Sequence, residues 1–412
     1  MTPQTLFYIL IAIILLSFLM DKWLDFLNAK KFDDTIPAEL SDVYDNGEYK
    51  KSQAYKKENF RFSLWSSSFS LILMLAFFFL DGFAYVDTLA RSFTENSIGV
   101  TLLFFAIIFL ASDIISTPFS YYHTFVIEEK YGFNKSTGKL FFLDKGKGWL
   151  LGIILGGSIL ALITWFYESF PSDFWWYTWI FMGVFSIIIN MFYAKLIVPI
   201  FNKQTPLEAG SLRDKIEAYG TKVGFKIQNI FVIDGSKRST KANAYFSGFG
   251  KEKRITLFDT LINDLEEDEI IAVLAHEVGH YKRNHILINL FTSILLTGFT
   301  LWLLSLFIAN PLLSEALGVT GPSFHIGLIA FFILYSPIST LTGLVMNYLS
   351  RKFEYQADDY AKNTFSPAPL ISSLKKLSKN SLSNLTPHPA YVFAHYSHPP
   401  LIKRYRNLML DD

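Results

Sequence analysis

His276-Glu277-Val278-Gly279-His280 sets two imidazoles four residues apart, and on a helix such a pair stands one above the other on the same face. Two nitrogens stacked in this way can share one zinc ion. Glu277 then projects beside the metal, where its carboxylate can take a proton from the attacking water. The chemistry implied is zinc-assisted hydrolysis of a peptide bond. So short a pattern also arises by chance, and its setting decides. The approach Ile271 to Ala275 is apolar, while Asp264, Glu266, Glu267, Asp268 and Glu269 supply the negative charge that a helix start favours. The motif is therefore expected on a helix.

A catalytic zinc takes three protein ligands and keeps one position open. A third histidine six residues past the second, with a glycine between, is ruled out because those positions are Arg283 and Ile286. His285 would lie about 140° round a continuing helix from His280 and is expected to point elsewhere. Glu354 is the better candidate. In Arg351-Lys352-Phe353-Glu354-Tyr355-Gln356-Ala357-Asp358, Glu354 and Asp358 are spaced i and i+4, a ligand carboxylate and a second one able to accept the free N–H of a ligand histidine. On spacing alone the same pair also reads as the solvated face of a surface helix.

The elements that must carry these residues are membrane spans. Hydrophobic residues make up 51% of the chain and aromatics 17%, and apolar stretches long enough for a bilayer fall near 5–22, 62–82, 98–120, 149–167, 174–198, 286–308 and 325–348. The first reads as an uncleaved anchor, since no basic residue precedes it and no small-residue cleavage site follows. Of the 37 Lys and Arg residues only Arg91 falls on one side of these spans. Basic loops stay in the cytoplasm, so the N-terminus is expected outside and both HEVGH and Glu354 in the cytoplasm. The two half-sites thus share a face, at the ends of the sixth and seventh spans. A bond cut there belongs to a membrane-anchored or lipidated substrate.

The expected architecture is an all-α multi-pass membrane protein with a small α+β cytoplasmic zinc-metalloprotease domain. It divides into spans one to five (1–198), the domain carrying HEVGH (199–285), spans six and seven (286–348) and a C-terminal part completing the zinc site (349–412). Ile227 to Ile233 and Arg254 to Phe258 read as strands, joined through a Gly/Ser-rich stretch around Ala244 to Gly248. Residues 366–381, with Leu370, Leu374 and Leu377 on one face, read as an amphipathic lid. Cysteine is absent, which leaves nitrogen and oxygen to hold the metal. A net charge of +1, with the basic residues accounted for by topology, argues against a nucleic-acid partner, and no GxxxxGK(S/T) phosphate loop is present.

HEVGH after an acidic helix, RKFEYQADDYA after the last span, Asn243-Ala244-Tyr245, Phe258-Asp259-Thr260, Glu128 to Asn134 and Ser397-His398-Pro399-Pro400-Leu401 together resemble the type I CaaX prenyl endopeptidases, integral-membrane zinc proteases of the HExxH…ExxxD kind. The likeness covers about residues 50–408. It implies a barrel of seven helices round a water-filled chamber, with Asp113, Asn190, Asn289 and Asn347 as polar groups at membrane depth. It implies one Zn²⁺ per chain on His276, His280 and Glu354, Glu277 as general base, and Asp358 and Arg351 in support. Residues 242–246, including Asn243, Ala244 and Tyr245, would hold an extended substrate by strand addition. His398, kept extended by the prolines after it, would stabilise the oxyanion or cap a helix, with Arg404 a weaker candidate beside it. Prenylated proteins are the implied substrates and a monomer the expected state. A heat-shock-type quality-control protease, a transporter, and a chaperone-like barrel whose zinc shuts a lid are the alternatives. With no ER-retrieval ending at Leu410-Asp411-Asp412, a bacterial inner membrane is favoured over the ER.

Overall fold

The computed structural model describes residues 1–225, 229–248 and 253–410. Among these, seven helices are long and apolar enough to cross a membrane: Pro3–Ala29, Asn46–Phe79, Ser97–Tyr131, Gly138–Ser169, Phe174–Phe201, His285–Phe307 and Phe324–Thr364. Each expected span overlaps one of them, though the expected 62–82 and 286–308 run past the helix ends at Phe79 and Phe307. The second and seventh, at 34 and 41 residues, exceed the roughly 20 a bilayer requires and project beyond it. Their outward faces carry exposed Leu64, Trp65, Ile72, Leu341 and Val345, the side chains a lipid solvent accepts.

Between the spans lies a cavity of about 1830 Å³ whose walls come from the first, second, third, fourth, sixth and seventh. Asp113 lines it and is held by Lys145 at 2.9 Å and Trp149 at 2.8 Å. Asn347 instead donates to the Ala394 carbonyl at 2.7 Å. Asn190 donates to Ser186 in its own helix, and Asn289 is exposed. One end of the cavity is plugged by Phe83, Val86, Leu313 and Leu317, which pack with Leu10, Phe104 and Ile326 of the spans.

At the other end sits a four-stranded sheet, β1 (Gln204–Pro206), β2 (Ile230–Ile233), β3 (Ala244–Ser247) and β4 (Arg254–Phe258), in the order β1-β2-β4-β3. Of the strand expected over 227–233, Ile227 and Gln228 lie outside the described residues. The stretch expected to be a mere connection is itself β3, antiparallel to β4 with Ala244 opposite Leu257. It ends the sheet, so its other edge has no strand partner among the described residues. Ile230, Ile255 and Leu257 form one core with Ile216 and with Ile270 and Leu274 of the helix Glu267–Lys282. That helix carries HEVGH.

Its start is fixed by a reciprocal cap, the Glu266 backbone N–H donating to the Glu269 carboxylate at 2.8 Å. Glu269 also accepts from Ser372 at 2.6 Å and Lys376 at 2.8 Å on the helix Pro367–Asn380, whose Leu370 is fully buried. The segment expected to be a lid is therefore a fixed buttress of the motif helix.

Candidate metal centre

Gly279 brings the two halves of the site together. A Cβ at this position would meet the Ala357 backbone at 3.1 Å and the Tyr360 Cβ at 3.0 Å, so any larger residue would press the motif helix away from the seventh-span helix. Glu354 and Asp358, one turn apart on that helix, then face His276 and His280. The ligand atoms of His276, His280 and Glu354 all fall within 4.8 Å of one another. His276 Nε2 is 3.2 Å from His280 Nε2, and His280 Nε2 is 3.2 Å from Glu354 Oε1.

Each imidazole is oriented from behind. His276 Nδ1 stands 2.9 Å from Asp358 Oδ1, which makes Nδ1–H the donor and leaves Nε2 bare. Asp358 is pinned in turn by the Arg404 fork, Nε to Oδ2 at 2.8 Å and Nη2 to Oδ1 at 2.5 Å, a bidentate geometry. All three side chains are buried. His285 orients His280, contrary to the expectation that it points away. The helix does not continue through it. Asn284 takes a left-handed conformation at φ 59°, which asparagine tolerates, and the chain re-enters a new helix with His285 turned back to His280, Nδ1 to Nδ1 at 3.0 Å. His285 stacks on Phe353 with centroids 4.2 Å apart, and its Nε2 is 2.9 Å from Gln356 Oε1. With the amide oxygen as acceptor, His285 carries its proton on Nε2, so its Nδ1 accepts from His280. That leaves His280 Nε2 bare as well. The signal for this arrangement was Asn284 itself, a residue suited to ending a helix.

The donor set fits zinc: two neutral imidazole nitrogens, one carboxylate, and a buried Glu354 Oε2 that accepts no hydrogen bond among the described residues. Burial would lower the pKa of His276, but the Asp358 and Glu354 carboxylates outweigh it and hold the metal-free ring at about 9. Burial raises Glu277, opposed by the fields of His276 and His280. Its carboxylate hydrogen-bonds to none of the described residues, leaving its oxygens free for water. Arg404 stays charged despite burial because Asp358 faces it.

His398 reaches the centre, its Nε2 3.3 Å from Glu354 Oε1, with an exposed ring whose Nδ1 is 2.9 Å from Ser397 Oγ. Arg351, expected in the supporting shell, makes no hydrogen bond or ion pair with any of the three ligating residues. It donates to the carbonyls of Val392, Phe393 and Tyr396, fixing the segment that leads into His398. Ala244 and Phe246 of β3 pack against the buried core that includes the motif helix. The Tyr245 hydroxyl is buried without a hydrogen-bond partner among the described residues, and Asn243 Oδ1 accepts from the Ala244 N–H at 2.9 Å.

Seven span helices, a cavity among them and a His-His-Glu centre with its base at one end define a membrane-spanning metallopeptidase. Comparison with known proteins narrows the class. Residues 25–203 match the family described as CAAX prenyl protease N-terminal, five membrane helices, and residues 206–410 match Peptidase family M48. CAAX prenyl protease 1 of Saccharomyces cerevisiae is 36% identical, over 94% of this chain and 92% of that protein. The Homo sapiens CAAX prenyl protease 1 homolog is 31% identical, over 96% and 94%. The crystal structure of S. mikatae Ste24p superposes with a TM-score of 0.94 at 35% identity, covering 98% of this chain and 99% of that one. The chain belongs to peptidase family M48, as a zinc metallopeptidase homologous to CAAX prenyl protease 1. Transporter and lid-only readings fall with that assignment. The relatives named here are eukaryotic, so the expected bacterial inner membrane finds no support.

Proposed function

We propose that this chain cleaves prenylated proteins ending in Cys-a-a-X, removing the last three residues at the cytoplasmic interface of the membrane. The observation supporting this most directly is the convergence of His276, His280 and Glu354 within 4.8 Å where two span helices leave the bilayer. His276, His280 and Glu354 would hold one Zn²⁺, which when bound polarises water and the scissile carbonyl. Glu277 takes the proton of the attacking water and returns it to the leaving amine, a role that its free, raised-pKa carboxylate suits. His398, exposed on the open side of the centre, donates to the oxyanion. Asp358, Arg404, His285 and Gln356 keep the ligand rings oriented.

The free edge of β3, with Asn243, Ala244 and Tyr245, receives the peptide as an added strand. The prenyl chain is accommodated by the apolar cavity between the spans, in a monomer whose domains follow the divisions at 198, 285 and 348. The basic loops keep the site cytoplasmic, with the ER as the eukaryotic location. Glu277→Gln should keep zinc yet lower cleavage of a farnesylated peptide by about 10²- to 10⁴-fold, read by metal analysis and peptide mass spectrometry together. Cleavage by this variant at the parent rate would remove the general-base assignment.

A further inference from the structure

His398 also borders a second pocket, of about 590 Å³ and of mixed polar and apolar lining. The second span contributes Lys56 and Asn59 to its wall, the turn before the last two helices contributes Ser381 and Leu382, and His398 closes one side. Lys56 has an unusual position there. Its ammonium donates to a single acceptor, the Leu382 carbonyl at 2.6 Å, and no carboxylate pairs with it among the described residues. Its neighbour Lys57, by contrast, is paired with Asp33 at 2.8 Å. The carboxylate of the pocket, Asp25, is already taken by Lys22 at 2.6 Å.

An ammonium has three donors, and withdrawing it from water without a counter-charge is costly. An anion entering the pocket would offset that cost. The backbone holds the ammonium in place for it: Leu382 adopts φ 51°, a conformation rare for any residue but glycine. That turn aims its carbonyl at both Ser52 Oγ, 3.1 Å away, and Lys56. Strain of this kind gathers where a ligand is clamped.

We propose that Lys56 receives the C-terminal carboxylate of the substrate, with the three residues beyond the scissile bond lying in this pocket. The proposal rests on the peptidase reading above. His398 joins the two places, since it stands 3.3 Å from Glu354 and also forms the pocket wall. Three extended residues span about 10 Å, and 590 Å³ is within the usual range for a small-ligand pocket. The arrangement acts as a ruler. A chain that ends three residues past the cut places its carboxylate on Lys56, whereas a longer chain would leave that ammonium without a counter-charge.

The test uses full-length, zinc-loaded protein and farnesylated peptides that end three residues after the cysteine, either as the free acid or as the C-terminal amide. The acid should be cleaved with a kcat/KM about 10- to 100-fold above the amide, mostly through KM. Lys56→Gln should bring the two rates together by lowering that for the acid, and Lys56→Arg should restore part of the difference. Equal rates for acid and amide in the unsubstituted protein would overturn the proposal, and this comparison needs no variant to fold. So would a Lys56→Gln protein that loses both rates in equal proportion. If neither farnesylated peptide is cut, the peptidase reading fails and the role of Lys56 fails with it. Cleavage without acid preference removes the role of Lys56 alone.

Discussion

The helix Phe324–Thr364 carries a buried histidine–carboxylate cluster near each end, and only one of them is a metal centre. At its first turn His325 Nε2 lies 2.6 Å from Asp87 Oδ1. Asp87 Oδ2 is taken by Arg91 at 2.9 Å, and the hydroxyls of Ser323 and Thr101 approach the His325 ring at 3.3 to 3.4 Å. Every polar atom of that pair has a partner. About 44 Å further along the axis, Glu354 Oε2 accepts no hydrogen bond among the described residues, and two imidazole nitrogens face each other at 3.2 Å with their other nitrogens already engaged. Burial and residue type are alike in the two clusters. What separates them is whether lone pairs are left over and converge on one point.

The sharpest way to break this comparison is to remove one converging lone pair. Glu354→Ala or His280→Ala should take zinc from one per chain to near none, because two protein ligands rarely hold zinc where three are needed. Cleavage should vanish with the metal, as read by elemental analysis of the purified protein. Retention of stoichiometric zinc by either variant would show that the centre is built on other residues.

Orientation comes next in size. Asp358→Asn keeps the shape but removes the charge that holds the proton on His276 Nδ1, and it frees one arm of Arg404. Zinc affinity should fall about 10- to 100-fold, the usual cost of a lost supporting carboxylate, as measured by competition with a chelator of known strength. An unchanged affinity would mean that packing against the motif helix alone sets the ring.

The parts of this site that were legible in the sequence are those that depend on helical spacing within one unbroken helix. His276 with His280, and Glu354 with Asp358, are i, i+4 pairs, and the structure places all four where that periodicity puts them. His285 escapes that periodicity for the same reason, since an angle measured from His280 holds only along a continuous helix and the helix breaks at Asn284. Arg351, a supporting residue only by the family resemblance, has no such geometric basis: it sits three residues before Glu354 and points to the Tyr396 carbonyl. The spans were legible because a bilayer imposes length and hydropathy. The strand order was not. β1 is three residues long, and β2 with β4 forms a parallel pair whose partner is chosen by tertiary packing rather than by any local pattern.

Acidity offers a gentler probe of the same difference. In the metal-free chain His276 has its pKa raised from 6.5 to about 9, so the folded state holds an extra proton between those values. The stability this contributes is fully present below pH 6.5 and is lost as pH rises through 9. Zinc must displace that proton. Its apparent affinity should therefore climb by about tenfold per pH unit across the same window, and calorimetric titrations in buffers of different ionisation enthalpy should count the proton released. An affinity flat between pH 7 and 8 would contradict a proton held at His276.

The smallest effect on the metal is expected at the other end of the helix. His325→Ala leaves Asp87 buried with Arg91 as its remaining partner, so the carboxylate is not stranded and the cost is that of one lost charge-assisted hydrogen bond, about 2 kcal/mol. The protein should melt at a lower temperature in detergent. Its zinc content and its kcat/KM on a farnesylated peptide should stay within about twofold of the parent, since additive behaviour holds between sites far apart. If His325→Ala instead strips the zinc, the two clusters are coupled along their shared helix. The contrast between a satisfied pair and a metal centre would then have to be replaced by a single two-ended device.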